Sequence, residues 1–185
     1  NQSGNNLTTG NNNILIADGA GLNLTTGDNH VIIGLSAGES LTIENNNVLI
    51  GRSAGSNLTV GDTVIIGAFA GANLTTGVSN TLIGNNAGNT LTTGFGNTII
   101  GFLAGSALTI GFGNTFIGSE AGENITSASS NVFIGYRSGR SATTSGGNTF
   151  VGFESGRSIT TGGLNTLLGR QAGLSLTTGS SNALI

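Results

Sequence analysis

The sequence predicts an all-β chain: a parallel β-solenoid, or β-roll, of about eleven 17-residue coils with two short strands per coil. Three observations lead there. One pattern repeats from end to end, two runs in each repeat carry strand chemistry, and glycine recurs where a coil would have to turn.

The repeat is clearest over residues 80–96, N-T-L-I-G-N-N-A-G-N-T-L-T-T-G-F-G, and again from Asn97. Numbering its positions 1 to 17 accounts for the whole chain. The domain organisation read from this is one repetitive unit, residues 1–185, expected to be an excerpt of a longer fibre because it starts and stops in mid-repeat without a distinctive capping repeat. The one change of register is a residue lost between Asp62 and Thr63.

Position 1 is Asn in most copies, with His30 and Thr63 as exceptions. Position 4 is Ile, Val or Leu, position 8 Ala or Ser, and position 9 always Gly. The T-L-I type run at positions 2–4 and the L-T-T type run at 12–14 are rich in β-branched residues and too short for helices. Glycine at positions 5, 9 and 15 is expected to supply the positive φ of sharp corners. Each coil then lies ~4.8 Å from the next, and the stack is about 50 Å long. Like residues fall on like residues, so the asparagines of position 1 should form an amide ladder. A single coil buries too little to stand alone: a few apolar side chains at ~1.5–3 kcal/mol each face a backbone entropy cost of ~1–2 kcal/mol per residue. Stability must therefore be shared between neighbouring coils.

Both faces of the first strand are apolar. Position 4 is taken as the core face. Position 3 is then the outer one, a stripe of Leu15, Ile32, Leu49, Ile65, Leu82, Ile99, Phe116, Phe133, Phe150, Leu167 and Leu184. A stripe of that length is too large to leave in water. It predicts a homo-oligomer, first of all a trimer with parallel axes, with a dimer or packing against another part of a longer chain as the alternatives and head-to-tail stacking of bare ends into a filament as a further expectation.

The I-G-x-x-A-G core followed by Thr and Gly resembles the head repeats of trimeric autotransporter adhesins. It also resembles the Gly/Thr/Asn-rich repeats of phage tail fibres. The adhesin heads have a shorter period. The resemblance implies a trimeric, non-catalytic rod or head segment of an adhesive fibre, extracellular on a cell or virion surface, with a glycan or cell-surface ligand as a possible partner.

Composition restricts the chemistry. Charged residues are 7% of the chain, its formal net charge is −3, and Lys, Cys and Pro are absent. No basic patch suits a phosphate backbone, no thiolate can hold a metal, and no apolar run is long enough to insert in a membrane as a helix. The carboxylates form no recurrent pair for acid/base work, and the Gly-rich stretches lack the lysine of a phosphate loop. The expectation is no enzyme activity, no cofactor and no metal.

Three features remain as candidates. Thr8, Thr25, Thr42, Thr59, Thr75, Thr92, Thr109, Thr126, Thr143, Thr160 and Thr177 fill position 13 in every copy. With Leu at position 12 inward, this Thr ladder should face outward, as a plain exposed β rank or as an ice- or carbohydrate-binding one; position 14 should point inward. Glu120, Arg137 and Glu154 fall on adjacent coils, as do Glu123, Arg140 and Arg157. They form either an exposed ion ladder or a polar recognition patch over 120–157. The sequons at Asn6, Asn23, Asn57, Asn73 and Asn124 are acceptors in a eukaryotic host.

Overall fold

A computed structural model describes residues 2–185. They form a β-solenoid of about ten turns with no helix. One strand per coil is present: β1 Ile14–Ile16, β2 Val31–Ile33, β3 Val48–Ile50, β4 Val64–Ile66, β5 Thr81–Ile83, β6 Thr98–Ile100, β7 Thr115–Ile117, β8 Val132–Ile134, β9 Thr149–Val151, β10 Thr166–Leu168 and β11 Ala183–Leu184. They pair in chain order as one parallel sheet of 11 strands. Like positions are partners throughout, as in Leu82 with Ile99 and Ile99 with Phe116.

The second predicted strand does not form. In the L-T-T run the leucine N–H turns back to the glycine three residues earlier, as in Leu91 N to Gly88 O at 3.0 Å. Position 13 makes a ladder bond, as in Thr92 N to Thr109 O at 2.8 Å, and position 14 adds a longer one in the first two coils, as in Thr26 N to Thr42 O at 3.3 Å. Positions 13 and 14 then both face outward, which breaks the alternation of a strand. Thr93, Thr144 and Thr161 at position 14 are exposed, not inward as expected.

The strand also presents its other face to the core. Ile32, Leu49, Ile65, Leu82, Ile99, Phe116, Phe133, Phe150 and Leu167 are fully buried, while positions 2 and 4 are partly exposed. The stripe predicted to cover an interface is therefore this chain's own core, except near the ends, where Leu15 is partly buried and Leu184 exposed. Alternation holds; the choice of face was inverted. Position 3 tolerates phenylalanine because it meets the small residues of positions 8 and 9 across the coil. Position 4 stays Ile, Val or Leu because it lies outside, in register on a sheet.

The core is made of three lanes: position 3, the alanines and serines of position 8, and the leucines and isoleucines of position 12. Phe116, Phe133 and Phe150 stack with ring centroids 5.1 and 4.7 Å apart. In the coil of Phe133, position 12 shrinks to Ala142, which offsets the larger ring.

Glycine has a different reason in each lane. At position 9 it is left-handed, and a Cβ on Gly139 (φ +60) would lie 2.5 Å from the Phe133 ring. At position 5, Gly101 has φ +140, and a Cβ would strike the carbonyl of Gly118. At position 15 positive φ is not the reason: Gly94 needs no left-handed backbone, but a Cβ would collide with the carbonyl of Gly111 in the next coil. Left-handed residues also occupy positions 7 and 17, including Leu103 (φ 55), Arg137 (φ 55) and Asn29 (φ 62). Asp62 (φ 59) belongs with position 17, since its N–H bonds Asn45 O as Asn46 N–H bonds Asp28 O. The residue lost from the short coil is thus at position 14 and not after Asp62: Val60 O accepts from Asn47 Nδ2 as a position 15 carbonyl does, and a Cβ on Gly61 would meet Asn45 O of position 16.

Candidate functional site

The position 1 lane is buried and fully engaged. Asn114 donates from Nδ2 to Asn97 Oδ1 (3.0 Å) and to Ala128 O (2.9 Å). Its own Oδ1 accepts from Asn131 N (3.1 Å) and Asn131 Nδ2 (3.2 Å). A side chain must carry a donor and an acceptor in fixed positions to join this ladder, and buried polar groups without partners are costly. That requirement selects Asn. His30 satisfies it with a ring: Nε2 faces Glu44 O at 2.8 Å, and Nδ1 faces Asn47 N at 3.3 Å. The carbonyl and the N–H fix the tautomer, with the proton on Nε2. Burial holds the His30 pKa below its ordinary value, against the opposing pull of the Glu44 carbonyl and the Glu44 and Asp28 charges.

The Thr ladder of position 13 faces outward, half-buried to exposed from Thr8 to Thr177. Its hydroxyl hydrogens are directed along the rod. Thr109 Oγ1 donates to Thr126 O (2.8 Å), and Thr160 Oγ1 to Thr177 O (3.2 Å). The backbone N–H of the same threonine reaches the same carbonyl. Each step of the lane repeats this except Thr42 to Thr59, where Glu44 Oε2 takes the Thr42 N–H at 2.6 Å instead. Threonine is invariant here because its hydroxyl fills the second lone pair of a carbonyl that a single ladder bond leaves half satisfied. The sequence carried no sign of this bond.

The charged residues meet as their spacing suggested. Arg137 forks onto Glu120 through Nε (2.7 Å) and Nη2 (3.3 Å), and Arg140 Nε reaches Glu123 at 2.6 Å. Glu154 does not continue the alternation with Arg137; it pairs with Arg157 (2.8 Å) and accepts from Gln171 (3.1 Å). The Arg137 hydrogen bond is the main cause holding the Glu120 carboxyl below its usual range. Beside this cluster Tyr136 and Phe153 stack at 5.4 Å, with the Arg137 guanidinium over the tyrosine. The sequence showed the ion pairs but not this aromatic rank at position 6.

The five sequon asparagines are all exposed. Among the described residues there is no group of three or more His, Asp or Glu that could hold a metal ion, no pocket, and no helix long and apolar enough to cross a membrane. The outer face of the sheet is a regular, partly exposed apolar surface. It consists of Val and Thr at position 2 beside Ile, Val or Leu at position 4, with Leu35, Phe102, Tyr136 and Phe153 exposed just past the corner. No family model, curated protein or solved structure matches this chain.

Proposed function

We propose that this chain is a structural rod or head segment of an extracellular adhesive fibre, on a cell or virion surface, that assembles side by side as a parallel homotrimer. The observation that carries the reading is the outer sheet face. Position 4 sets Ile33, Ile50, Ile66, Ile83, Ile100, Ile117 and Ile134 in one unbroken outward lane. A lane of that length is unusual on a monomer in water. The strand face alone, about 48 Å by about 10 Å, is smaller than the ~800 Å² per partner of a standard interface. The corner aromatics of position 6 extend it, and a trimer lets each chain use both flanks. The aliphatic I-G-x-x-A-G core and its resemblance to trimeric fibre repeats support the same assignment.

Sedimentation equilibrium tests this. A trimer is expected at micromolar concentration, and glutamate at both Ile83 and Ile100 should give a folded monomer. A wild-type monomer under those conditions overturns the reading.

One observation favours a second reading, an ice- or carbohydrate-binding face on the Thr ladder. Position 14 points outward, so threonines such as Thr92 with Thr93 and Thr160 with Thr161 stand side by side, in a second rank interrupted by Ile43, Ile110 and Ser127. The commitment of the position 13 hydroxyl hydrogens to backbone weighs against it. Thermal hysteresis and glycan-array binding decide it: both absent at high concentration dismiss this face as a ligand site.

A further inference from the structure

Most successive coils are joined, beyond their strand and turn bonds, by as many as four links in the lanes of positions 1 and 13. Between the coils of Asn97 and Asn114 these are Asn114 N to Asn97 Oδ1 (3.0 Å), Asn114 Nδ2 to the same oxygen (3.0 Å), and Thr109 N and Oγ1 to Thr126 O (both 2.8 Å). The junction between residues 30–46 and 47–62 keeps one of them. Thr42 turns its N–H to the Glu44 carboxylate, and its hydroxyl lies 3.4 Å from both carboxylate oxygens, so neither group bonds Thr59. Asn47 Nδ2 bonds Val60 O and has no amide oxygen to meet on His30. Of these lane links, Asn47 N donating to His30 Nδ1 at 3.3 Å survives; outside the two lanes an exposed bond from Asn46 Nδ2 to Asp62 Oδ1 (3.0 Å) also crosses the junction.

That last link depends on the ring being neutral. An imidazolium carries N–H on both nitrogens. Protonated Nδ1 would present a hydrogen to the Asn47 N–H, donor against donor, inside a buried lane. The charged groups bearing on the ring are the carboxylates of Glu44 and Asp28. Glu44 is occupied by the Thr42 and Ile43 amides, the latter at 3.0 Å, and its pKa lies below its ordinary value, so it stays ionised through the histidine range.

We propose that the junction between residues 30–46 and 47–62 is an acid-sensitive joint, at which protonation of His30 removes the remaining lane bond and lets the coils on its N-terminal side separate from the rest of the solenoid. The chain has one histidine, so this joint is single and its position is fixed. It is independent of how the chains associate. The sign follows from burial. The folded form holds the His30 pKa below 6.5, so it binds the proton less readily than the open form. Cohesion is full above that ordinary value and falls as the pH drops from it towards the folded pKa.

Hydrogen exchange followed by mass spectrometry at pH 7.5 and pH 5, corrected for intrinsic rates, tests the joint. Protection of segments within 30–62 should fall severalfold at the lower pH while that of 97–165 is unchanged. His30→Asn, which restores the ladder residue, should abolish the difference. Glu44→Gly should raise protection at both pH values and leave the pH response in place. The ring ¹⁵N shifts give a second readout: Nδ1 should be unprotonated at neutral pH, and its titration should coincide with the loss of protection. An equal response in both halves of the chain, or a response that survives His30→Asn, overturns the proposal.

Discussion

Replacing Asn114 by alanine should be among the most damaging single changes outside the apolar core, and its cost can be worked from the ladder. Four side-chain hydrogen bonds disappear. Two of the groups left behind have other partners: Asn97 Oδ1 still accepts from Asn114 N (3.0 Å), and Asn131 Nδ2 still reaches Ser145 O (3.0 Å). The other two, Ala128 O and Asn131 N, lose the partner that Asn114 gave them. Each orphaned buried group costs ~1–3 kcal/mol, so the loss is about 2–6 kcal/mol. Urea unfolding of the alanine variant measures it, with Asn114→His as the control. At pH 8 a neutral ring can donate from Nε2 and accept at Nδ1, as His30 does, and should recover part of the loss; at pH 5 it should not. A cost below about 1 kcal/mol for the alanine, or a histidine variant indifferent to pH, would refute the account of the lane as a satisfied donor–acceptor chain.

Three other changes test the remaining lanes. Thr109→Val keeps the shape but removes the hydroxyl bond to Thr126 O, and thermal unfolding should show a loss of ~0.5–1.5 kcal/mol. Ala142→Leu should overpack the coil of Phe133 by ~1–3 kcal/mol yet be tolerated together with Phe133→Leu, so that a double-mutant cycle in urea gives a clear coupling. The Glu120–Arg137 pair is screened by solvent and contributes little. Because the Glu120 pKa is lowered, that stability is present above the ordinary carboxylate value and lost as pH falls through the folded one; Glu120→Gln should remove this part of the acid dependence in low salt and change little in high salt.

The period, the parallel stacking, the Asn ladder and the outward Thr rank were legible because each rests on repetition, which needs no knowledge of angles. What could not be read was set by backbone conformation. Alternation along Thr81, Leu82 and Ile83 says that one face is in and the other out, but with both faces apolar it does not say which. The answer lies in the space across the coil, where Gly88 and Ala87 admit Leu82. The second strand failed because Leu91 N–H bonds Gly88 O, a local turn that competes with a ladder for the same donor. Position 17 advertised its left-handed backbone through Asn29, Asn46 and Asp62, residues that tolerate it. Position 7 did not: Phe69, Leu103 and Arg137 adopt φ 58, 55 and 55 there with no preference for it. Their strain, ~1–3 kcal/mol per residue, is imposed by neighbours above and below, through bonds such as Leu103 N to Asn85 O (3.1 Å).

That contrast separates two kinds of constraint along the rod. Inward lanes are held by what each coil must offer the next: a donor and acceptor at position 1, an apolar chain at 3 and 12, no Cβ at 9. Outward lanes other than the Thr rank of position 13, which bonds the next coil, answer to solvent or to a partner, and there the coils differ. Position 6 runs Leu35, Arg52, Ala68, Asn85, Phe102, Ser119, Tyr136, Phe153 and Arg170, while position 4 beside it remains aliphatic throughout. Strand propensity favours a β-branched residue at position 4 but gives no reason to exclude there the threonine that position 2 admits. A partner surface repeated at the same ~4.8 Å step gives one, since every coil then meets the same groove. If that is the cause, charge at any single position 4 residue in mid-rod should weaken association about equally, whereas substitutions at position 6 should matter only where an aromatic now stands. A scan of glutamate variants by sedimentation distinguishes the two patterns, and a flat response at both positions would remove the outer face as the site of assembly.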